Sequence, residues 1–87
     1  MEIRDFKVGD KVKITNPGNT YTTHSAMFFK LGFRNQDKNR AWEIGTMGKI
    51  FEITLYDIFN PITLLALRDE DGNECLISTE GVEFILE

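Results

Sequence analysis

Apolar and cationic side chains alternate at the start of the chain: Val8, Val12 and Ile14 share one parity, and Lys7, Lys11 and Lys13 the other. A period of two marks a strand with one buried face. The turn dipeptide Gly9-Asp10 interrupts the run, so the regular strand begins after it. Asn16-Pro17-Gly18-Asn19 ends it, because Pro17 brings no ladder donor and Gly18 suits a left-handed turn. Residues 49–55 predict a second strand in which Ile50 and Phe51 are adjacent and both apolar; a bulge there lets both be partly buried. Residues 62–67, nearly all apolar, predict a central third strand. The Asp71-Gly72 pair between apolar runs signals a hairpin into a fourth strand over 74–77. Residues 78–81 leave room only for a turn or a single 3₁₀ turn. Val82, Phe84 and Leu86 then alternate with Glu83 and Glu87 as a short last strand.

Between the first two strands the period changes. Thr22 or Thr23 can cap a short helix over 24–31, and Gly32 suits its left-handed stop. In that geometry Phe33 contacts Phe28, and Phe28 and Leu31 face the core together. Residues 34–40 are polar without an apolar period and predict an exposed loop, after which Trp42 and Ile44 re-anchor the chain. A loop this long inside a compact domain is often functional.

Five short strands, a long first loop, a bulged second strand, a tight Asp-Gly hairpin and a one-turn break before the last strand resemble an SH3-like barrel. The run Val8-Gly9-Asp10-Lys11-Val12-Lys13-Ile14 is similar to the start of KOW-type members of that group, and Gly48-Lys49-Ile50 to their second glycine-led strand. The likeness covers residues 5–16 and 46–86; the KOW pattern has only a few residues where this chain has about thirty. It implies a mainly β fold, one five-stranded SH3-like barrel over residues 1–87 with a helical insertion at about 21–44. The KOW likeness also implies nucleic-acid or ribosome binding. In style the chain further resembles small single-domain barrels of bacteriophages and bacteria.

Composition agrees with one small globular domain: 87 residues, 41% apolar, with seven Phe, one Trp and two Tyr. The single cysteine, Cys75, forbids an internal disulfide and fits a reducing compartment. No apolar run approaches a membrane span and the N-terminus carries no signal-peptide pattern, so a cytoplasmic protein with no membrane association is expected. Charge is unevenly spread: residues 1–50 hold nine Lys/Arg against five Asp/Glu, and residues 51–87 one Arg against nine Asp/Glu. Such asymmetry either marks a face for a polyanion or covers solvated faces of both signs.

Catalytic chemistry finds little support. His24, the only histidine, lies beside Ser25, and helix neighbours do not face each other. Cys75 has the parity of Ile77 and predicts a buried small hydrophobe. Asp69, Asp71 and Asn73 have the spacing of calcium-loop ligands and Glu80 falls at position twelve, but Glu74 stands where that loop needs glycine; a plain acidic hairpin is expected. No zinc pattern, phosphate loop or cofactor motif is present, and a non-enzyme without cofactor or metal is expected.

The candidate site is therefore the insertion. Lys30, Arg34, Lys38 and Arg40 lie close together, opposed only by Asp37, and Tyr21, Phe29 and Trp42 can add aromatic surface. Trp, Tyr and Arg are common protein-binding anchors. Cations interleaved with aromatics also suit single-stranded nucleic acid. Equally open is the arrangement in which Trp42 and the phenylalanines fill the core while the cations are solvated. The expected function is a non-enzymatic module that binds a protein partner through the insertion, as a monomer or weak dimer. RNA or single-stranded DNA binding is the alternative.

Overall fold

The computed structural model describes residues 6–21, 30–34, 39–56, 59 and 62–85. Five strands are formed: β1 (Lys11–Ile14), β2 (Met47–Tyr56), β3 (Ile62–Arg68), β4 (Glu74–Ser78) and β5 (Val82–Phe84). They make one sheet in the order β4-β3-β2-β1-β5, every adjacent pair antiparallel. The chain thus meanders from β1 to β4, and a 3₁₀ turn at Thr79–Gly81 carries it back to set β5 beside β1.

Each strand lies where alternation or a continuous apolar run predicts it. The β2–β3 register slips between Ile50 and Glu52, so the bulge expected at Ile50-Phe51 exists. It turns Ile50 into the main core and Phe51 towards the opposite face, where Phe51 packs against the second cluster and the Phe33 ring. The stop after β1, at Asn16–Asn19, is built differently from expectation. Gly18 is not left-handed; Pro17–Asn19 is a 3₁₀ turn in which the Asn16 side chain accepts from the Gly18 amide. Proline suits the first position of such a turn because no donor is needed there.

Leu64, Leu65, Ala66 and Leu67 of β3 are all buried, because both faces of the sheet are covered there. On one face lies the main core: Val12, Ile14, Ile50, Leu65, Leu67, Cys75, Ile77, Val82 and Trp42. On the other face Leu64, Ala66 and Leu76 are covered by Leu31 and Phe33 of the insertion, with Tyr21 and Phe51 at the margin. Each of these larger side chains contributes about 1.5–3 kcal/mol on burial.

The sheet is not closed into a barrel: among the described residues no ladder joins β4 to β5. β5 has three residues, too few to reach around. The outer edge of β4 is instead met by both ends of the insertion, through the bridges Thr20–Ile77 and Asn39–Glu74. An edge strand left open is a pairing hazard, and covering it with a loop removes that hazard.

Most of the helix expected at 24–31, with Phe28 and its contact to Phe33, lies outside the described residues. Lys30 and Leu31 are helical, and Gly32 follows at φ +97, the left-handed stop expected of it. Phe33 packs edge-on against Phe51, with ring centroids 5.2 Å apart. Of the two residues expected to re-anchor the chain, Trp42 does and Ile44 does not. Trp42 is buried while Ile44 is 72% exposed. The Trp42 ring comes so close to Gly48 that a Cβ there would collide with it. That close approach explains the glycine in the Gly48-Lys49-Ile50 run.

Candidate functional site: the latched insertion and its cations

Two backbone interactions and one carboxylate hold the insertion on β4. The Tyr21 amide donates to the Leu76 carbonyl at 2.7 Å and the Arg40 amide to the Glu74 carbonyl at 3.0 Å. Between these points the Arg34 amide donates to Glu74 Oε1 and Oε2, at 2.9 and 3.2 Å. One residue therefore gathers two parts of the insertion: its side chain holds Arg34 and its carbonyl holds Arg40.

Glu74 is fully buried, which demands compensation for its charge. Arg68, directly opposite on β3, supplies it with Nε at 3.1 Å and a terminal nitrogen at 2.8 Å from Oε2. The same guanidinium donates to the Gly32 carbonyl at 2.9 Å and lies 4.1 Å from the centre of the Phe51 ring. It thus satisfies the exposed end of the helical turn while stacking on an aromatic face. The local sequence builds this directly. Arg68 and Glu74 flank the hairpin, so closing the turn sets them face to face. The turn is closed by Asp69: Oδ1 accepts from the Asp71 and Asn73 amides, both at 2.9 Å, and Oδ2 from the Asn73 side chain at 2.8 Å. Asp69 organises the loop in the manner of a plain acidic hairpin, and among the described residues no cluster of His, Cys, Asp and Glu could hold a metal ion.

Of the residues singled out from the sequence, Lys30, Arg34 and Arg40 are exposed. The latch brings Arg34 and Arg40 to the same end of β4. Trp42 belongs to the main core, so its ring offers no contact surface. Tyr21 is half-buried against the second cluster and lines an open cleft of about 280 Å³ with Asn19, Thr63, Ser78 and Glu80. Phe29, Lys38 and His24 lie outside the described residues. Cys75 is buried as expected, and burial pushes its thiol up to about 11, far from the range of a reactive thiolate.

Glu74 and Arg68 were not singled out by spacing or by motif. One signal was available: an acidic residue opening the apolar run Cys75-Leu76-Ile77, and the one arginine of the acidic half, placed symmetrically about a two-stranded turn. A charge at the mouth of a buried strand requires a partner, and the hairpin register names it.

Comparison with protein-family models, with curated proteins and with solved structures returns no match.

Proposed function

We propose that the chain is a non-enzymatic binding module that docks a protein partner of acidic character through the exposed cations of its insertion. The observation that carries this reading is the latch. Arg34 and Arg40 project from backbone fixed to one buried carboxylate, so a partner meets charges already positioned and less ordering entropy opposes binding. The fold reading that accompanies it is an SH3-like arrangement: a meander whose last strand returns beside the first, a bulged second strand and a one-turn break before β5 all support it. No membrane partner is invoked, and among the described residues no helix is long and apolar enough to cross one.

The test is affinity capture followed by mass spectrometry, with wild type beside an Arg34→Glu/Arg40→Glu variant. The reading expects a protein captured by wild type and lost by the variant. Equal capture by both would remove the insertion as the contact face. Single-stranded nucleic acid is the second reading, favoured by the same cations. It draws less from the aromatics, since Trp42 is buried. Salt-dependent retention of an RNA oligonucleotide, and not of a protein, would establish it in place of the first.

A further inference from the structure

Two edges of the sheet are finished differently. The outer edge of β4 is met by the insertion, through Thr20–Ile77 and Asn39–Glu74. β2, in contrast, outruns its neighbour. β1 pairs with it only at Met47, Gly48 and Lys49, and the Gly9 and Asp10 backbone adds two bonds at Ile50. Beyond that point only β3 pairs with β2, as far as Tyr56. The Ile53 amide shows which backbone groups face outwards: it donates to Glu52 Oε1 at 2.9 Å and not to β3. In an antiparallel ladder alternate residues turn their backbone groups to the same side, so those of Leu55 face outwards with those of Ile53. Among the described residues no strand meets this stretch of edge.

Native edges are commonly blunted by lysine, proline or a covering loop. Residues 51–56 hold neither lysine nor proline, and their one charge is Glu52. Its carboxylate is folded onto the Ile53 amide, which keeps that donor satisfied in a single chain. Ile53 packs against the main core. Leu55, two residues on and on the same face, is 67% exposed.

We propose that this edge pairs with its counterpart in a second copy of the chain, antiparallel about a two-fold axis at Thr54. The register follows from the outward groups: Ile53 of each copy lies opposite Leu55 of the other, and the two pairs exchange four main-chain hydrogen bonds. That register sets an apolar Ile–Leu pair on one face and a Thr–Thr pair on the other. Glu52 falls opposite Tyr56 of the second copy, and the two Glu52 positions stand roughly 14 Å apart along the strands, so like charges do not oppose each other. Charge also decides the occupant. An acidic partner segment, which the cations of the insertion call for, would meet Glu52 here, whereas a second copy sets no charge against it. The contact is isologous, so pairing stops at two copies. The proposal is independent of the acidic-partner reading and uses none of its residues.

The test is sedimentation equilibrium from about 10 µM to about 1 mM, since so short a junction makes a weak dimer, with amide hydrogen exchange followed by NMR at both limits. Wild type is expected to rise from the 10.0 kDa monomer to a plateau at twice that mass, with the Leu55 amide more protected at the upper concentration. Added salt should tighten the dimer, because it screens two chains of net charge −4 from each other. Leu55→Lys, at an exposed position, and Leu55→Pro, which removes only an outward donor, should each weaken association at least tenfold. Melting curves check that both fold. Glu52→Ala frees the Ile53 amide and should tighten association. Ile44→Lys, at a position 72% exposed and outside this edge, should change it less than twofold. A wild type that stays monomeric at about 1 mM, a mass that climbs past two copies, or a dimer loosened by salt each overturns the proposal. So does a Leu55→Lys variant that associates as well as wild type.

Discussion

The two halves of one sheet face are finished in opposite ways. Over β3 and β4 the face is apolar, with Leu64, Ala66 and Leu76 roofed by Leu31 and Phe33. Over β1 and β2 it presents the exposed side chains of Lys11, Lys49 and Met47. The boundary between them is the Arg68–Glu74 pair. Covering half a sheet face takes a segment with its own apolar side chains and a fixed seat, and the long insertion is explained by that requirement before any function is assigned. Its exposed cations are then a by-product of which side of the roof faces water, or the reason the roof has this composition. The Arg34→Glu/Arg40→Glu reversal separates these two.

The comparison breaks most readily at the roof. Phe33→Ala removes a buried ring and leaves a cavity against Phe51 and the second cluster; a loss of about 3–5 kcal/mol is expected in chemical denaturation. If instead the loss stays under about 1 kcal/mol, the roof does not contribute to stability. Glu74→Ala comes next. It removes a buried carboxylate and strands the Arg34 amide, but the partner Arg68 keeps a quarter of its side chain in water. A loss of about 3 kcal/mol, at the low end for a broken buried pair, is expected by the same measurement.

The other face is tested at Gly48. Gly48→Ala drives a methyl into the Trp42 ring and should cost about 1–3 kcal/mol through displacement of the indole, read as a red shift in tryptophan emission along with a lower melting temperature. Cys75, deep in the same core, gives a pH signature. Its folded value near 11 lies above the 9.0 of an open thiol, so the stability that depends on the neutral thiol is complete below pH 9 and is lost as pH rises towards 11. Wild type should lose roughly 2 kcal/mol more than Cys75→Ala between those limits, and nothing more at pH 7. Smallest of all is Lys49→Gln on the exposed half of the face, within about 0.5 kcal/mol of wild type in the same denaturation measurement.

How much of this was legible depends on the reach of the signal. Strands β1, β3 and β5 follow from alternation or a continuous apolar run, and the Ile50-Phe51 doublet located the bulge, because these are local patterns. The 3₁₀ turn at Thr79–Gly81 was readable from its length alone. The roof was not. Leu31 and Phe33 carry no mark that they cover β3 and β4 rather than plug a barrel, since that depends on pairs forty residues apart such as Arg34 and Glu74. Trp42 shows the same limit. An aromatic among cations reads equally as a contact residue or as a core residue, and the glycine opposite it, Gly48, is the neighbour whose missing side chain makes room for the ring in the core. The open sheet was hidden for a similar reason: a strand count does not tell whether the last edge is closed by a strand or by a loop.

The most direct test of the latch is native-state hydrogen exchange at the Arg34 and Arg40 amides, followed by NMR in wild type and in Glu74→Ala. Both amides bond to Glu74, one to its carboxylate and one to its carbonyl. Protection at both is predicted in wild type, with Arg34 losing it in the variant while Ile14 and Leu65 in the main core keep theirs. An Arg34 amide that exchanges in wild type at the rate of an open chain would contradict the latch and, with it, the positioned cations on which the binding surface depends.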